Sequence, residues 1–261
     1  MIQHNLSKYT SIVLLCFISA CNASSHQLER SESNYSETVS NKVLIHMDIE
    51  TMFANSQLRS LAYAAGKGKM SQIDKLLEQG VDVNAKGTNN ATVLFWSMRN
   101  KKGFEYLLKQ GANPNVVFGD GGSVMHWVAR KRDCSMLMSA LQHGGNPNLK
   151  AGMFGGSPAF ETITAGKNDG VPNCLKLLLS KDADIDFQDE QGQSVLLAAA
   201  DLARFDITLY LLKSGANSKL MDNKQRTVRD LVNSYKGAFI KGSVTEEYWL
   251  KVDAWLLNSG E

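Results

Sequence analysis

The chain has 261 residues and a formal net charge of +2. That length suits one sizeable domain or a short repeat array, and the near-neutral balance offers no bulk field for nucleic acid or an acidic membrane surface. With 43% hydrophobic residues, 4 prolines and 21 glycines, the composition is that of neither a long disordered chain nor a collagen-like one.

The first twenty residues read as a separate object. Lys8 supplies a weak positive start, and Ile12 to Ile18 form a short apolar run. A bilayer span needs about 20 apolar residues, so this run reads as an export signal. It ends in Ile18-Ser19-Ala20-Cys21, which resembles the lipobox of bacterial lipoproteins. The resemblance implies cleavage before Cys21 and lipidation of its thiol, with Asn22 in place of an aspartate favouring the outer membrane and a periplasm-facing chain. Residues 21–41 are rich in Ser, Glu and Asn. They bury too little apolar surface to offset ordering entropy and read as a tether with a reach of roughly 25 Å.

Residues 42–261 are expected to form the folded domain. Ile49 to Leu58 reads as an N-terminal capping helix. Five segments then end a helix in one pattern, beginning with Leu76-Leu77-Glu78-Gln79-Gly80-Val81-Asp82-Val83-Asn84. The stops fall at Gly80, Gly111, Gly144, Asp182 and Gly215, in steps of 31, 33, 38 and 33. Glycine supplies the left-handed conformation that ends a helix, and the Asp and Asn residues that follow bond their own backbone in a turn. Asp182 adopts that conformation less readily than glycine. Twelve or thirteen residues after each stop, Thr92, Ser123, Ser157, Ser194 and Thr227 mark the next helix start, where Ser and Thr are good caps. Extra length in the fourth unit falls between Gly166 and Pro172. Tyr248 to Leu257 reads as a last amphipathic helix.

Two landmarks recurring in phase resemble ankyrin repeats, over about residues 57 to 261. The family's Thr-Pro-Leu-His-x-Ala start appears here as Thr92-Val93-Leu94-Phe95-Trp96-Ser97 and Ser123-Val124-Met125-His126-Trp127-Val128-Ala129. The resemblance implies an all-α solenoid of stacked helix pairs with β-turn fingers, about five to six repeats including caps. His126 holds the family's histidine position, which implies a structural hydrogen bond between repeats.

Other motifs weigh less. Asp182-Ala183-Asp184-Ile185-Asp186 alternates like a calcium loop, but Phe187 stands where an EF-hand needs glycine, so these acids read as turn residues. Gly66-Lys67-Gly68-Lys69 lacks phosphate-loop spacing. Ser123, after Gly121-Gly122, reads as a helix cap and not as a nucleophile. No His or Cys spacing suggests zinc, and no catalytic residue or cofactor is expected. Cys134 and Cys174 read as two small core residues. Their repeats stack about 10 Å apart and a disulfide wants Cα atoms about 4.4–6.8 Å apart, although a periplasmic location permits a bridge.

What remains is surface. In ankyrin arrays the fingers and inner helices bind partners, and carrying this over nominates Trp96, Arg99, Phe118, Asp120, Trp127, Arg130, Lys131, Phe154 and Phe187. Aromatics and arginine are enriched in binding hot spots, although Trp96 and Trp127 also suit the groove between helices. Phe118 and Phe154 sit beside Gly119 and Gly155 on loops, where packing is poor unless a partner covers them. The expected function is non-enzymatic protein binding by a chain that is monomeric when unbound and meets the membrane only through its N-terminal lipid. The segments Met52 to Leu58, Leu94-Phe95-Trp96 and Gly122 to Trp127 resemble ankyrin lipoproteins that accompany type VI secretion lipase effectors. That implies an immunity protein blocking a lipase. The alternative is an envelope scaffold or chaperone for an endogenous periplasmic protein.

Overall fold

The computed structural model describes residues 48–152, 154–163 and 169–259. The expected export signal, Cys21 and the tether lie outside these residues. So do Met153 and part of the Gly166–Pro172 loop.

Twelve α-helices occupy the described residues, with no extended strand among them. A short α1 (Ile49–Met52) leads into the pair α2 (Ser56–Gly66) and α3 (Met70–Glu78). The next pairs are α4 (Val93–Ser97) with α5 (Lys101–Lys109), then α6 (Val124–Ala129) with α7 (Ser135–Gln142). A 3-10 turn at Pro158–Thr162 precedes α8 (Asn173–Leu179). The array closes with α9 (Val195–Asp201), α10 (Phe205–Lys213), α11 (Val228–Ser234) and α12 (Val244–Asn258).

The repeat pattern is legible in what each position does. The residue seven before each stop, Ile73, Phe104, Leu137 and Leu175, is fully buried, as is Thr208 in the fifth copy. Burying an apolar side chain of this size contributes about 1.5–3 kcal/mol, and the four apolar ones belong to one core that is continuous along the stack. Thr92, Ser123 and Ser194 each accept the backbone N–H three residues on, and Thr227 forms a reciprocal capping box with Asp230. Gly103 lies so close to the Ala65 carbonyl that a Cβ would overlap it. Glycine there lets α5 approach α2.

The fingers close with single antiparallel bridges, such as Lys86 with Thr92 and Val117 with Ser123. Their turns are tied into a ladder. The Asn84 carboxamide donates to the Gly111 carbonyl and accepts the Asn113 N–H, at 3.0 and 2.7 Å. Asn115 does the same to Gly144 and Asn146, and Asn148 to Asp182 and Asp184. Asp184 accepts the Asp186 N–H and Asp186 the Asn217 N–H, at 2.9 and 2.8 Å. Asp184 and Asp186 thus direct carboxylate oxygens at turn amides. Asp182 takes the left-handed conformation at φ +61°, where the other four stops are glycines at +83° to +92°.

Three expectations change. The N-terminal cap is not one helix: Phe53 is extended and the Asn55 side chain caps α2 by accepting the Gln57 and Leu58 N–H groups. The Asn cap wins over helix continuity at that point. In the fourth repeat Ser157 makes no cap and only the 3-10 turn forms. Thr162 and Ile163 follow it; β-branched residues support a helix poorly, and Thr162 Oγ1 bonds back to the Ala159 carbonyl at 2.7 Å. Finally, Cys134 and Cys174 are disulfide-bonded, with Cα atoms 5.3 Å apart. The interaxial distance misleads here because both cysteines sit at helix starts, Cys134 just before α7 and Cys174 in the first turn of α8.

Candidate protein-binding face

The inner helices place one residue at a fixed step after each finger: Trp96 on α4, Trp127 on α6, Glu161 on the 3-10 turn and Ala198 on α9. Each stands four residues after the Thr or Ser that opens its helix or turn, which gives these side chains equivalent places in successive repeats. Trp96 and Trp127 are half-buried. Each meets the core at an edge, Trp96 near Phe53 with ring centroids 6.5 Å apart and Trp127 near Phe95 at 6.3 Å. The groove-filling and surface readings of the tryptophans both describe part of each ring.

Arginine covers what the core leaves bare. The Arg99 guanidinium lies 3.7 Å from the centroid of the Trp96 ring, and Arg130 lies 5.0 Å from that of Trp127. Such stacking contributes about 0.5–1 kcal/mol at exposed sites and holds a long side chain in one pose. Desolvation against the indole lowers the Arg99 pKa from its ordinary value. Arg99 also donates to the Trp96 carbonyl at 3.1 Å. Arg130 pairs across the repeat boundary with Glu161, Nε to Oε2 2.8 Å. Lys131 is exposed and reaches the Met98 carbonyl of the preceding repeat at 3.4 Å.

The finger residues divide. Asp120 is exposed, and its carboxylate accepts the Gly122 N–H at 3.0 Å. Phe154 is 38% exposed, with its carbonyl accepting the Glu190 N–H of the next finger. Phe187 is half-buried in its turn. Phe118 corrects the expectation of an exposed tip: it is only 3% exposed and packs edge-on to Phe95 at 5.0 Å. Phe95 replaces the histidine of the repeat consensus, and two aromatics in contact bury each other where a His–loop hydrogen bond would otherwise stand.

His126 does make that bond. Nε2 lies 3.0 Å from the Gly156 carbonyl of the next finger and Nδ1 lies 2.7 Å from Ser123 Oγ. A carbonyl only accepts, so Nε2 carries the proton. Burial lowers the His126 pKa, partly opposed by the Gly156 bond and the Glu161 charge. The ring is a clasp between repeats.

One feature was not legible from the residue types. An open pocket of about 400 Å³ lies at the N-terminal end of the inner-helix row, lined by Ile49, Tyr63, Gly66, Lys67, Trp96 and Arg99. Gly66 lies against the Trp96 indole, so a Cβ there would stand 2.9 Å from Nε1. Tyr63 holds a place on α2 that no finger precedes, so the finger-to-row spacing did not nominate it. Among the described residues no helix is long and apolar enough to cross a membrane, and no group of three His, Cys, Asp or Glu could hold a metal.

Residues 125–222 match the family model of ankyrin repeats, in three copies. A crystal structure of an ankyrin repeat domain from Acinetobacter baumannii is similar with a TM-score of 0.63 and 21% identity, over 77% of this chain and 97% of that one. A chain in the solved complex of a predatory endopeptidase from Bdellovibrio bacteriovorus with an immunity protein matches with a TM-score of 0.58 and 20% identity, over 74% and 97%. At these identities the likeness concerns the fold alone. The phosphocholine transferase AnkX of Legionella pneumophila is 29% identical over 171 residues, 62% of this chain and 17% of that protein. The chain spans between 6% and 24% of the length of the first curated relatives it matches. The fold is an ankyrin-repeat stack, and within it residues 125–222 carry the repeat that the family model describes.

Proposed function

We propose that this chain is a non-enzymatic immunity protein of the periplasm, held to the outer membrane by lipid on Cys21, which covers the active-site entrance of a toxic lipase. The observation that carries protein binding is the row of Trp96 with Arg99 and Trp127 with Arg130 on successive inner helices. Half-buried aromatics with arginines already ordered over them present large contact area at little further entropy cost, the character of a binding hot spot.

Two further observations support the immunity reading. The Cys134–Cys174 bridge suits an oxidising compartment, where an exported chain would meet a delivered toxin. The endopeptidase–immunity complex among the structural neighbours supplies a precedent on the same fold for an immunity partnership. The lipase itself rests on the resemblance to ankyrin lipoproteins of lipase effectors.

Growth decides the matter. A secreted lipase directed to the periplasm is expected to arrest cells lacking this chain, and the full chain to restore them. A chain with Trp127→Ala and Arg130→Ala is expected not to, and a Cys21→Ser chain to rescue poorly and accumulate unprocessed. Arrest that the full chain does not relieve would end the lipase reading. Recovery of one endogenous envelope protein with the chain, lost in the double variant, would install the scaffold reading in its place.

A further inference from the structure

The Arg99 pocket differs from its equivalent one repeat on. Arg130 stacks on Trp127 and closes on Glu161, the residue that occupies the next place in the inner-helix row. Arg99 stacks on Trp96 in the same way, but the next place in the row is Trp127, and no carboxylate among the described residues lies within ion-pair distance of Arg99. The molecule therefore shows how an arginine over an indole takes a carboxylate at one position, and leaves the adjacent position without one.

The rest of the pocket is of the same sign. Lys67 is in its wall, and Lys69 lies 5.2 Å from the centroid of the Tyr63 ring that forms another wall. Neither lysine has a carboxylate partner among the described residues. The Trp96 indole N–H has no hydrogen-bond acceptor among them. Ile49 and the Tyr63 and Trp96 rings supply the apolar part of the lining. The groups that line this pocket are donors, cations and apolar surface, without an acid.

We infer that this pocket receives an aspartate or glutamate side chain of the protein partner, flanked by an apolar neighbour, and so fixes the partner at the N-terminal end of the inner-helix face. The carboxylate bonds the Arg99 guanidinium as Glu161 bonds Arg130, with Lys67 and the Trp96 N–H as further donors. The apolar neighbour covers Ile49 and Tyr63. Charge-assisted bonds of this kind are the strong ones at interfaces. The inference rests on the protein-binding reading but not on the identity of the partner as a lipase.

The test is a random peptide library displayed to the full chain in detergent, beside Arg99→Glu and Lys67→Glu chains whose circular dichroism matches it. The wild-type chain is expected to enrich peptides with Asp or Glu next to an apolar residue. A synthetic member should bind the Arg99→Glu chain about tenfold more weakly or worse, and a Glu→Lys change in that peptide should recover binding to the Arg99→Glu chain. Enriched peptides without an acid, acidic peptides that bind Arg99→Glu equally, or the absence of any enrichment would each overturn the pocket assignment. Displacement of the peptide by millimolar acetate would overturn it in favour of a small free acid. Peptides insensitive to Arg99→Glu but lost on Trp127→Ala would sink the pocket while leaving protein binding in place, and growth rescue judges the immunity role separately.

Discussion

In the second and third repeats, Thr92 and Ser123 cap true inner helices, the row position holds a tryptophan, and the turns are joined by the Asn84 and Asn115 carboxamides. In the fourth, Ser157 caps nothing, the inner helix is a 3-10 turn, and the row position holds Glu161. Specific links stand where periodic packing is thin. The disulfide joins the start of α8 to the preceding repeat. On the other side, buried Arg204 forms a two-nitrogen pair with Asp206 at 3.1 Å, and both reach back to the long loop. Arg204 donates to the Gly170 carbonyl at 3.1 Å, and Asp206 accepts the Gly170 N–H at 3.0 Å. A regular repeat is stabilised by every neighbour that resembles it, whereas an irregular one depends on individual bonds, and single changes there should cost more.

The largest effect is expected at the ion pair. Asp206→Ala leaves the Arg204 guanidinium, whose side chain is only 4% exposed, without its main partner, which costs about 3–5 kcal/mol. Urea unfolding followed by circular dichroism measures it; a loss below about 1 kcal/mol would mean the pair is solvated in practice and the contrast with the regular repeats is overstated. Next comes the disulfide, which spans 40 residues. Cys134→Ser with Cys174→Ser should lower stability by about 2–4 kcal/mol. Hydrogen exchange sharpens the comparison: α8 should lose protection while α4 and α5 keep theirs. Uniform loss along the array would show that the repeats unfold as one unit.

The smallest effect belongs to the regular side. His126 is buried with its pKa lowered, beside Ser123, the Gly156 carbonyl, Glu161 and Arg130. The folded state therefore holds this proton less tightly than the unfolded state does. Its contribution is fully present above the ordinary histidine value of about 6.5 and declines as pH falls below it, towards the lowered folded value. The difference in Tm between pH 7.5 and 5.5 should shrink in His126→Gln; an unchanged difference would assign that pH dependence to other groups.

Much of this was legible because a repeat states its chemistry several times. The stop glycines, the Thr and Ser caps and the turn acids follow from backbone conformation, which is local. The resemblance to ankyrin repeats, carried onto those positions, nominates Trp96, Trp127 and the arginines one turn on, and implies that His126 links repeats. Phe118 was misread for a physical reason: its flanking glycine is visible in the chain, but Phe95, which covers it, is twenty-three residues away.

The sequence by itself determined the all-α repeat architecture, its register and the row of inner-helix side chains, because each depends on contacts that recur at one spacing. Only the tertiary structure decided that Cys134 meets Cys174, that Arg204 and Asp206 clasp the long loop, and that Arg99 lacks the acid which Arg130 has. Those are meetings between single residues in different repeats, and no period along the chain encodes them.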